Sequence, residues 1–140
     1  MRYLLDTHIF IWYAKEQDEL SDEVASILYD YENDLLLSME SVKELLVAYR
    51  TKTLLSKYWH TPVEMVDSIQ REYGISVVQV DMEVMRTMTK LCINEGEEHY
   101  DPSDHIIISH AITMNLPLIS SDHKFPFYTK QGLNLVFNKR

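Results

Sequence analysis

The chain has few of the residues that interrupt or cross-link a fold. Its 140 residues include 3 glycines, 4 prolines and 1 cysteine. Because glycine and proline favour turns and linkers, their scarcity argues against long loops and repeats. The lone thiol, Cys92, cannot form a disulfide within the chain, and its neighbours Leu91 and Ile93 predict that it is buried. A reducing, cytoplasmic location is therefore expected.

Long apolar runs are also missing. Asp6 and His8 interrupt the apolar residues at the N-terminus, which leaves no signal-peptide core. No stretch approaches the roughly 18 consecutive apolar residues of a membrane span, so we expect no membrane association. The apolar fraction of 46% is typical of a globular protein, and the length favours one domain over residues 1–140.

Positive charge is scarce, and the formal net charge is −9. A dedicated nucleic-acid-binding protein is usually basic, so this charge counts against tight nonspecific binding. It does not exclude a nuclease, because an acidic metal site contributes negative charge that bound cations reverse locally. The acidic surface could also bind a basic protein partner.

Short apolar segments recur along the chain and predict buried strands. Between them lie segments with apolar residues at helical spacing. Ser21, Thr61 and Asp81 are predicted to cap three of these helices, and the helix that follows Asp81 is expected to run to about residue 93. Strands that alternate with helices form βαβ units, which predicts an α/β fold with three layers, α/β/α, around a mostly parallel sheet of four to five strands. The predicted strands lie at residues 2–5, 34–38, 75–80 and 116–120, with a short fifth strand at 133–137.

Acidic residues stand near the ends of these predicted strands or in the first turns of the helices that follow. In an open parallel sheet, ligands bind at this edge. Carboxylates crowded there would repel one another unless a cation held them. The pattern predicts a divalent-metal site and a metal-dependent phosphoryl-transfer or hydrolytic enzyme. The residues are Asp6, Glu44, Asp104 and Asp122.

Each of these acids also has a purely structural interpretation. Asp6 could cap the helix that follows it, since Asp is favoured at that position. Asp122, in a Ser-Ser-Asp sequence, could belong to an ordinary turn. Glu44 could lie on a solvated helix face, and Glu40, closer to the strand, is a competing candidate for the site. What favours the metal site is that all of the acids fall at equivalent places in the predicted fold.

The third acid has the strongest structural alternative. Asp101 resembles a helix N-cap, Pro102 the first helical residue, and Asp104 the reciprocal partner in a capping box. We assign capping to Asp101 and metal binding to Asp104, because Asp104 directly precedes the apolar segment 106–108. Whether Asp101 contributes to the site in place of Asp104 stays open.

Four segments of the chain resemble the signature blocks of PIN domains, and the likeness is strongest to VapC-type toxin ribonucleases. The first and third blocks are the more specific. The resemblance implies an Mg²⁺- or Mn²⁺-dependent endoribonuclease that hydrolyses RNA, is often a homodimer, and is neutralised by a small antitoxin protein. It implies the same acidic residues as above for the site. The segments are residues 4–8, 41–45, 101–108 and 118–122.

The chain departs from the family pattern at two positions. His105 follows the third acid, where such toxins commonly have Arg, and Lys43 precedes Glu44, where an aromatic residue is frequent. Around the acids, Thr7 and Ser120 are expected to support the ligands from a second layer. RNA is expected to approach over Arg50 and Lys52.

Two other functional classes remain open. One is a different metal-dependent phosphodiesterase, such as a DNA nuclease or a phosphatase, on a similar sheet. The other is a non-catalytic interaction module in which the acids only cap helices. Metal binding separates the second class from the first, and substrate assays separate a ribonuclease from the other hydrolases.

Overall fold

The central sheet brings the carboxyl ends of its strands, where predicted site residues lie, to one edge. The computed structural model describes residues 1–52 and 54–140. Its sheet has five strands in the order β3-β2-β1-β4-β5, and every neighbouring pair is parallel. The strands are β1 (Arg2–Leu5), β2 (Asp34–Ser38), β3 (Ser76–Val78), β4 (Leu118–Ser120) and β5 (Leu135–Phe137).

The first strand lies at the centre of the sheet. Leu5 pairs with Leu37 of β2 on one side and with Ile119 of β4 on the other. The backbone N–H of Asp6 continues this ladder by donating to the Ile119 carbonyl at 2.9 Å. The residues that follow β1, β2 and β4 therefore meet at one place, as the carboxyl ends of parallel strands must.

Seven α-helices and three short 3₁₀ segments join the strands in the part of the chain that the structure describes. The 3₁₀ segments are Gln17–Glu19, Glu95–Glu97 and Phe125–Gln131. The α-helices are α1 (Thr7–Lys15), α2 (Asp22–Tyr29), α3 (Met39–Thr51), α4 (Leu54–Tyr58), α5 (Pro62–Arg71), α6 (Met82–Lys90) and α7 (Pro102–Met114).

Apolar side chains cover both faces of the sheet. On β1, Leu5 points into a core shared with helices α1, α3 and α5, whereas Leu4 points into a second core formed with α7. Both leucines are fully buried, as expected for a strand covered on each face. This arrangement confirms the predicted three-layer α/β/α fold, with five parallel strands.

Local signals placed most of the helix starts correctly. Ser21, Thr61, Asp81 and Asp101 each accept a backbone N–H from the first turn of a helix. The predicted ends were less accurate, since α6 stops at Lys90 and not near residue 93. None of the described helices combines the length and apolar character needed to cross a bilayer.

The prediction for Cys92 was wrong. Its side chain is exposed, because α6 has already ended and the chain runs over the surface there. The Gln131 side chain holds this segment, accepting from the Cys92 N–H at 2.8 Å and donating to the Cys92 carbonyl at 2.9 Å. The prediction of one domain over residues 1–140 stays a prediction.

Candidate active site

A cavity of about 560 Å³ opens at the carboxyl edge of the sheet. Helices α1, α3, α4 and α7 supply much of its wall, and the turn after β4 closes one side. The structure brings all four predicted site acids to this cavity, where they line its wall together with Asp101. They are Asp6, Glu44, Asp104 and Asp122.

Asp6 caps a helix and also lines the cavity. It directly follows β1, and its Oδ1 accepts from the Thr7 N–H at 2.8 Å at the start of α1. Its Oδ2 accepts from the Ser120 hydroxyl at 2.7 Å. The residue is 7% exposed. Burial raises the pKa of Asp6, and the charge of Asp122 acts in the same direction against these two hydrogen bonds.

Glu44 lies in the second turn of α3 and faces the cavity. The Thr7 hydroxyl donates to its Oε1 at 2.6 Å, so Thr7 lies between the first and second acids. Partial burial raises the pKa of Glu44, and the Asp6 charge adds to the effect.

Glu40, the competing candidate, is engaged elsewhere. Its Oε2 accepts from the Ser103 hydroxyl at 2.6 Å and pairs with Lys43 Nζ at 2.5 Å. Glu40 therefore ties the first turn of α3 to the first turn of α7. It is not among the described residues that line the cavity.

Asp104 lies at the centre of the acidic cluster. It is in the first turn of α7, with its side chain 17% exposed, and its Oδ2 lies 2.9 Å from His99 Nε2. Burial, followed by the charges of Asp6 and Asp101, raises the pKa of Asp104 to about 8. A carboxyl group with such a pKa holds a proton near neutral pH when no cation is bound.

Asp101 carries the capping role that its sequence context predicts. Its Oδ1 accepts from the Ser103 N–H at 2.9 Å, and in the described part of the chain Asp104 makes no reciprocal capping bond. Asp101 nevertheless lines the cavity and is exposed. Its capping role does not remove it from the set of possible ligands.

Asp122 follows β4 and stabilises its own turn. Its Oδ1 accepts from the Lys124 N–H at 2.9 Å, and its N–H donates to the Ser120 hydroxyl oxygen at 3.1 Å. Because the same hydroxyl donates to Asp6, Ser120 connects the first and fourth acids. Thr7 and Ser120, the residues expected in a second layer, thus each contact an acid of the cluster.

Two overlapping groups of side chains have the spacing of a cation site. One contains Glu44, Asp101 and Asp104, and the other contains His99, Asp104 and Asp122. Within each group the ligand atoms lie within 4.8 Å of one another, and Asp104 belongs to both groups. Carboxylate oxygens are the ligands that Mg²⁺ and Mn²⁺ prefer, so the residues fit such an ion. Burial, with a smaller contribution from neighbouring acids, raises the carboxyl pKa values here.

His99 is the residue that the sequence did not reveal. Its position fits no zinc-ligand spacing, and its contact with Asp104 depends on how the chain turns between α6 and α7. Glu98 at φ 52° takes a left-handed conformation immediately before it. Burial lowers the pKa of His99. The neighbouring His105 is buried too and donates from Nε2 to the His99 carbonyl at 2.8 Å.

The predicted RNA-contacting residues have different positions. Lys52, at the end of α3, lines the cavity, whereas Arg50 is exposed and is not among the described residues that line it. Lys43 also lines the cavity, although the sequence indicated it only as a departure from a family pattern. His105, which stands where the family commonly has Arg, is buried and does not line the cavity among the described residues. Lys43 and Lys52, which do line it, are positioned to meet an anion at this edge.

Comparison with known proteins places this geometry in context. A family described as the PIN domain matches residues 3–130. No curated protein matches the chain. Several solved structures share the fold at low sequence identity. One is VapBC2 from Rickettsia felis, bound to a DNA fragment from the VapBC2 promoter. It is 16% identical with a TM-score of 0.72, covering 99% of this chain and 100% of that chain.

Two further solved structures show the same fold. VapBC-1 from nontypeable Haemophilus influenzae is 19% identical with a TM-score of 0.69, and 98% of each chain is covered. VapBC-5 from Mycobacterium tuberculosis is 18% identical with a TM-score of 0.64, covering 99% of this chain and 98% of that chain.

Proposed function

The chain belongs to the PIN domain family, and from this premise we propose that it is a divalent-metal-dependent endoribonuclease that acts as the toxin of a toxin–antitoxin pair. The observation that carries the proposal is the convergence of Asp6, Glu44, Asp104 and Asp122 on one cavity. Acids that served only as helix caps would not need to face one another across the edge of a sheet. Burial first, and then the charges of the neighbouring acids, raise the pKa of Asp104 to about 8.

The proposed cofactor is Mg²⁺ or Mn²⁺. Asp104 is the proposed central ligand, since it belongs to both groups with the spacing of a cation site, and Glu44 and Asp122 each belong to one of them. Asp6 belongs to neither group, and we propose that it completes the site from the cavity wall. When bound, the cation neutralises the cluster and supplies Lewis-acid activation of the phosphodiester. The chain itself prepares the ligands. Ser120 holds Asp6, and Thr7 holds Glu44, so both acids are oriented before any cation arrives. Such support from a second layer is commonly worth a factor of roughly 10–100 in metal affinity.

The proposed substrate is single-stranded or looped RNA, whose backbone can enter an open cavity. Lys52 and Lys43 lie at the cavity wall, where they can bind phosphate groups of the RNA backbone. Arg50 would contribute only to the wider approach path, because it is exposed beyond the cavity lining. The net charge of −9 makes these local cations more important, since the protein as a whole repels RNA.

The proposed partners are a small antitoxin protein and a second copy of this chain. Support comes from the VapBC structures that share the fold, one of which is bound to promoter DNA. The cytoplasmic location predicted from the sequence stays a prediction.

The decisive experiment measures cleavage of a mixed, structured RNA by the purified protein in Mn²⁺, in Mg²⁺ and in EDTA. Asp104→Asn is the test variant and Asp101→Asn its matched control, because Asn caps a helix as well as Asp does. We expect metal-dependent cleavage that Asp104→Asn abolishes and Asp101→Asn largely retains.

Other outcomes would change the assignment. Cleavage of DNA or of a phosphomonoester, with RNA left intact, would point to a different metal-dependent hydrolase. Absence of both cleavage and metal-induced stabilisation would favour a non-catalytic interaction module. Equal loss of activity in the two variants would make Asp101 a ligand as well as a cap.

A further inference from the structure

A buried chain of hydrogen bonds leads away from Asp104 into the core. His99 Nε2 lies 2.9 Å from Asp104 Oδ2, and His99 Nδ1 lies 2.9 Å from the Tyr128 hydroxyl. The backbone N–H of Asn94 donates to the same hydroxyl at 3.1 Å. His99 is 2% exposed and Tyr128 is fully buried, so water does not compete for these groups.

The direction of each hydrogen bond in this series follows from the donors that are available. The Tyr128 hydroxyl accepts from the Asn94 N–H, and among the described residues His99 Nδ1 is the acceptor within reach of its own proton, so we assign the hydroxyl as the donor to Nδ1. His99 then carries its ring proton on Nε2 and donates it to Asp104 Oδ2. This oxygen can accept the bond both when the Asp104 proton lies on Oδ1 and when a cation has displaced that proton. The Asn94 backbone N–H and the Tyr128 hydroxyl together thus favour this histidine tautomer.

The imidazole ring has little freedom to turn. It packs against the rings of Phe125 and His105 at centroid distances of 5.6 Å and 5.1 Å. His105 also donates to the His99 carbonyl, which holds the backbone beneath the ring. A hydrogen-bond donor whose ring is packed on several sides positions its acceptor more accurately than a mobile one would.

We propose that His99 and Tyr128 are positioning residues for Asp104. They hold Oδ2 by a hydrogen bond from one defined tautomer and leave Oδ1 to bind the cation. Within the described residues Oδ1 accepts no hydrogen bond, which agrees with this division of the carboxylate. The inference rests on the proposed function, because it takes Asp104 to be a ligand.

Direct ligation by His99 is the main alternative, since its ring lies near both Asp104 and Asp122. The geometry favours the positioning role because both ring nitrogens already have hydrogen-bond partners. For Nε2 to bind a cation, it would have to lose its proton and its bond to Asp104. The two roles also predict different atoms around bound Mn²⁺.

The test compares Mn²⁺ binding by calorimetry in Tyr128→Phe and in Tyr49→Phe. Each substitution removes one hydroxyl; that of Tyr49 donates to the Trp59 carbonyl at 2.7 Å. Tyr128 does not touch the cation in either account, so an effect on affinity must pass through His99. We expect Tyr128→Phe to weaken Mn²⁺ binding roughly tenfold, as supporting residues do, and Tyr49→Phe to leave it unchanged.

A second pair of variants covers the case in which Tyr128→Phe does not fold. His99→Gln retains a donor near the position of Nε2, whereas His99→Ala has none. We expect the glutamine variant to recover part of the affinity that the alanine variant loses. Pulsed electron paramagnetic resonance of the Mn²⁺-loaded natural protein should show no directly bound nitrogen.

Several results would overturn the positioning role. These are unchanged affinity in Tyr128→Phe, equal losses in the two His99 variants, or a directly bound nitrogen in the resonance spectrum. Asp104→Asn separates this failure from failure of the proposed function. If Asp104→Asn binds Mn²⁺ as tightly as the natural protein, the metal site itself is misassigned. If Asp104→Asn loses binding while the His99 and Tyr128 variants bind normally, only the positioning role is rejected.

Discussion

Ser120 donates a hydrogen bond of 2.7 Å to Asp6, and this contact joins the ends of the two neighbouring strands β1 and β4. The same Ser120 oxygen accepts from the backbone N–H of Asp122. One fully buried hydroxyl therefore aligns two acids of the proposed metal site. The sheet supplies the approximate positions of the acids, and hydrogen bonds of this kind supply their orientation.

Replacing Ser120 with alanine should therefore weaken both the fold and the metal site. It leaves the Asp6 carboxylate and the Asp122 N–H without this partner, and an unsatisfied buried polar group costs about 1–3 kcal/mol. We expect urea denaturation to show a loss of free energy of unfolding in that range, and calorimetry to show weaker Mn²⁺ binding.

Ser109→Ala is the matched control for this substitution. The Ser109 hydroxyl is buried and has no hydrogen-bond partner among the described residues. Its removal should change the free energy of unfolding little and leave Mn²⁺ binding intact. Comparable losses in the two variants would show that Ser120 contributes only as a buried side chain.

Much of this fold could be predicted from the sequence, because the strands are short apolar runs that end at acids or at capping residues. Asp6 and Asp122 were found in this way, since a residue that follows a parallel strand must lie at the sheet edge. His99 could not be found, because its contact with Asp104 depends on a turn that includes a left-handed residue, Glu98. Cys92 was misplaced because the end of α6 was predicted too late.

The choice between Glu40 and Glu44 also depended on tertiary structure. Both lie on α3 one turn apart, and the helical pattern alone allowed either to reach the site. The structure separates them because Ser103 and Lys43 engage Glu40, whereas Glu44 meets Thr7 at the cavity.

This difference predicts that the same Glu→Gln substitution lowers Mn²⁺ affinity much more at Glu44 than at Glu40. Glu44→Gln should lower Mn²⁺ affinity at least tenfold, since an amide oxygen is a poorer ligand than a carboxylate. Glu40→Gln should change it less than about threefold, because glutamine can still accept from Ser103. Calorimetric titration with Mn²⁺ measures both, and a larger effect at Glu40 would reverse the assignment.

The metal-free protein should become less stable as pH rises from about 4 to about 8. In the unfolded chain Asp104 has its ordinary pKa of 3.8, whereas in the folded protein the value is about 8. The folded state therefore holds a proton that the unfolded state has released. This contribution to stability is complete below the unfolded pKa and is lost as pH rises through the folded one. The raised pKa values of Asp6 and Glu44 act in the same direction.

Thermal denaturation in EDTA across this pH range measures the effect. Asp104→Asn should flatten the profile, because asparagine does not titrate. Added Mn²⁺ should stabilise the natural protein more at pH 8 than at pH 5, since the cation displaces the proton that Asp104 holds. If stability instead rises with pH and does so equally in the natural protein and in Asp104→Asn, the raised pKa of Asp104 is contradicted.

Lys52 and Arg50 should differ in their effect on RNA cleavage. Lys52 lines the cavity, so under the proposed function Lys52→Ala removes a phosphate contact near the reacting bond, whereas exposed Arg50 is not among the described lining residues. We expect Lys52→Ala to raise KM several-fold and to reduce the salt dependence of binding by about one charge. Arg50→Ala should have a smaller effect on both. Kinetics at several salt concentrations measure these quantities, and a larger effect at Arg50 would place the RNA path along the outer side of α3.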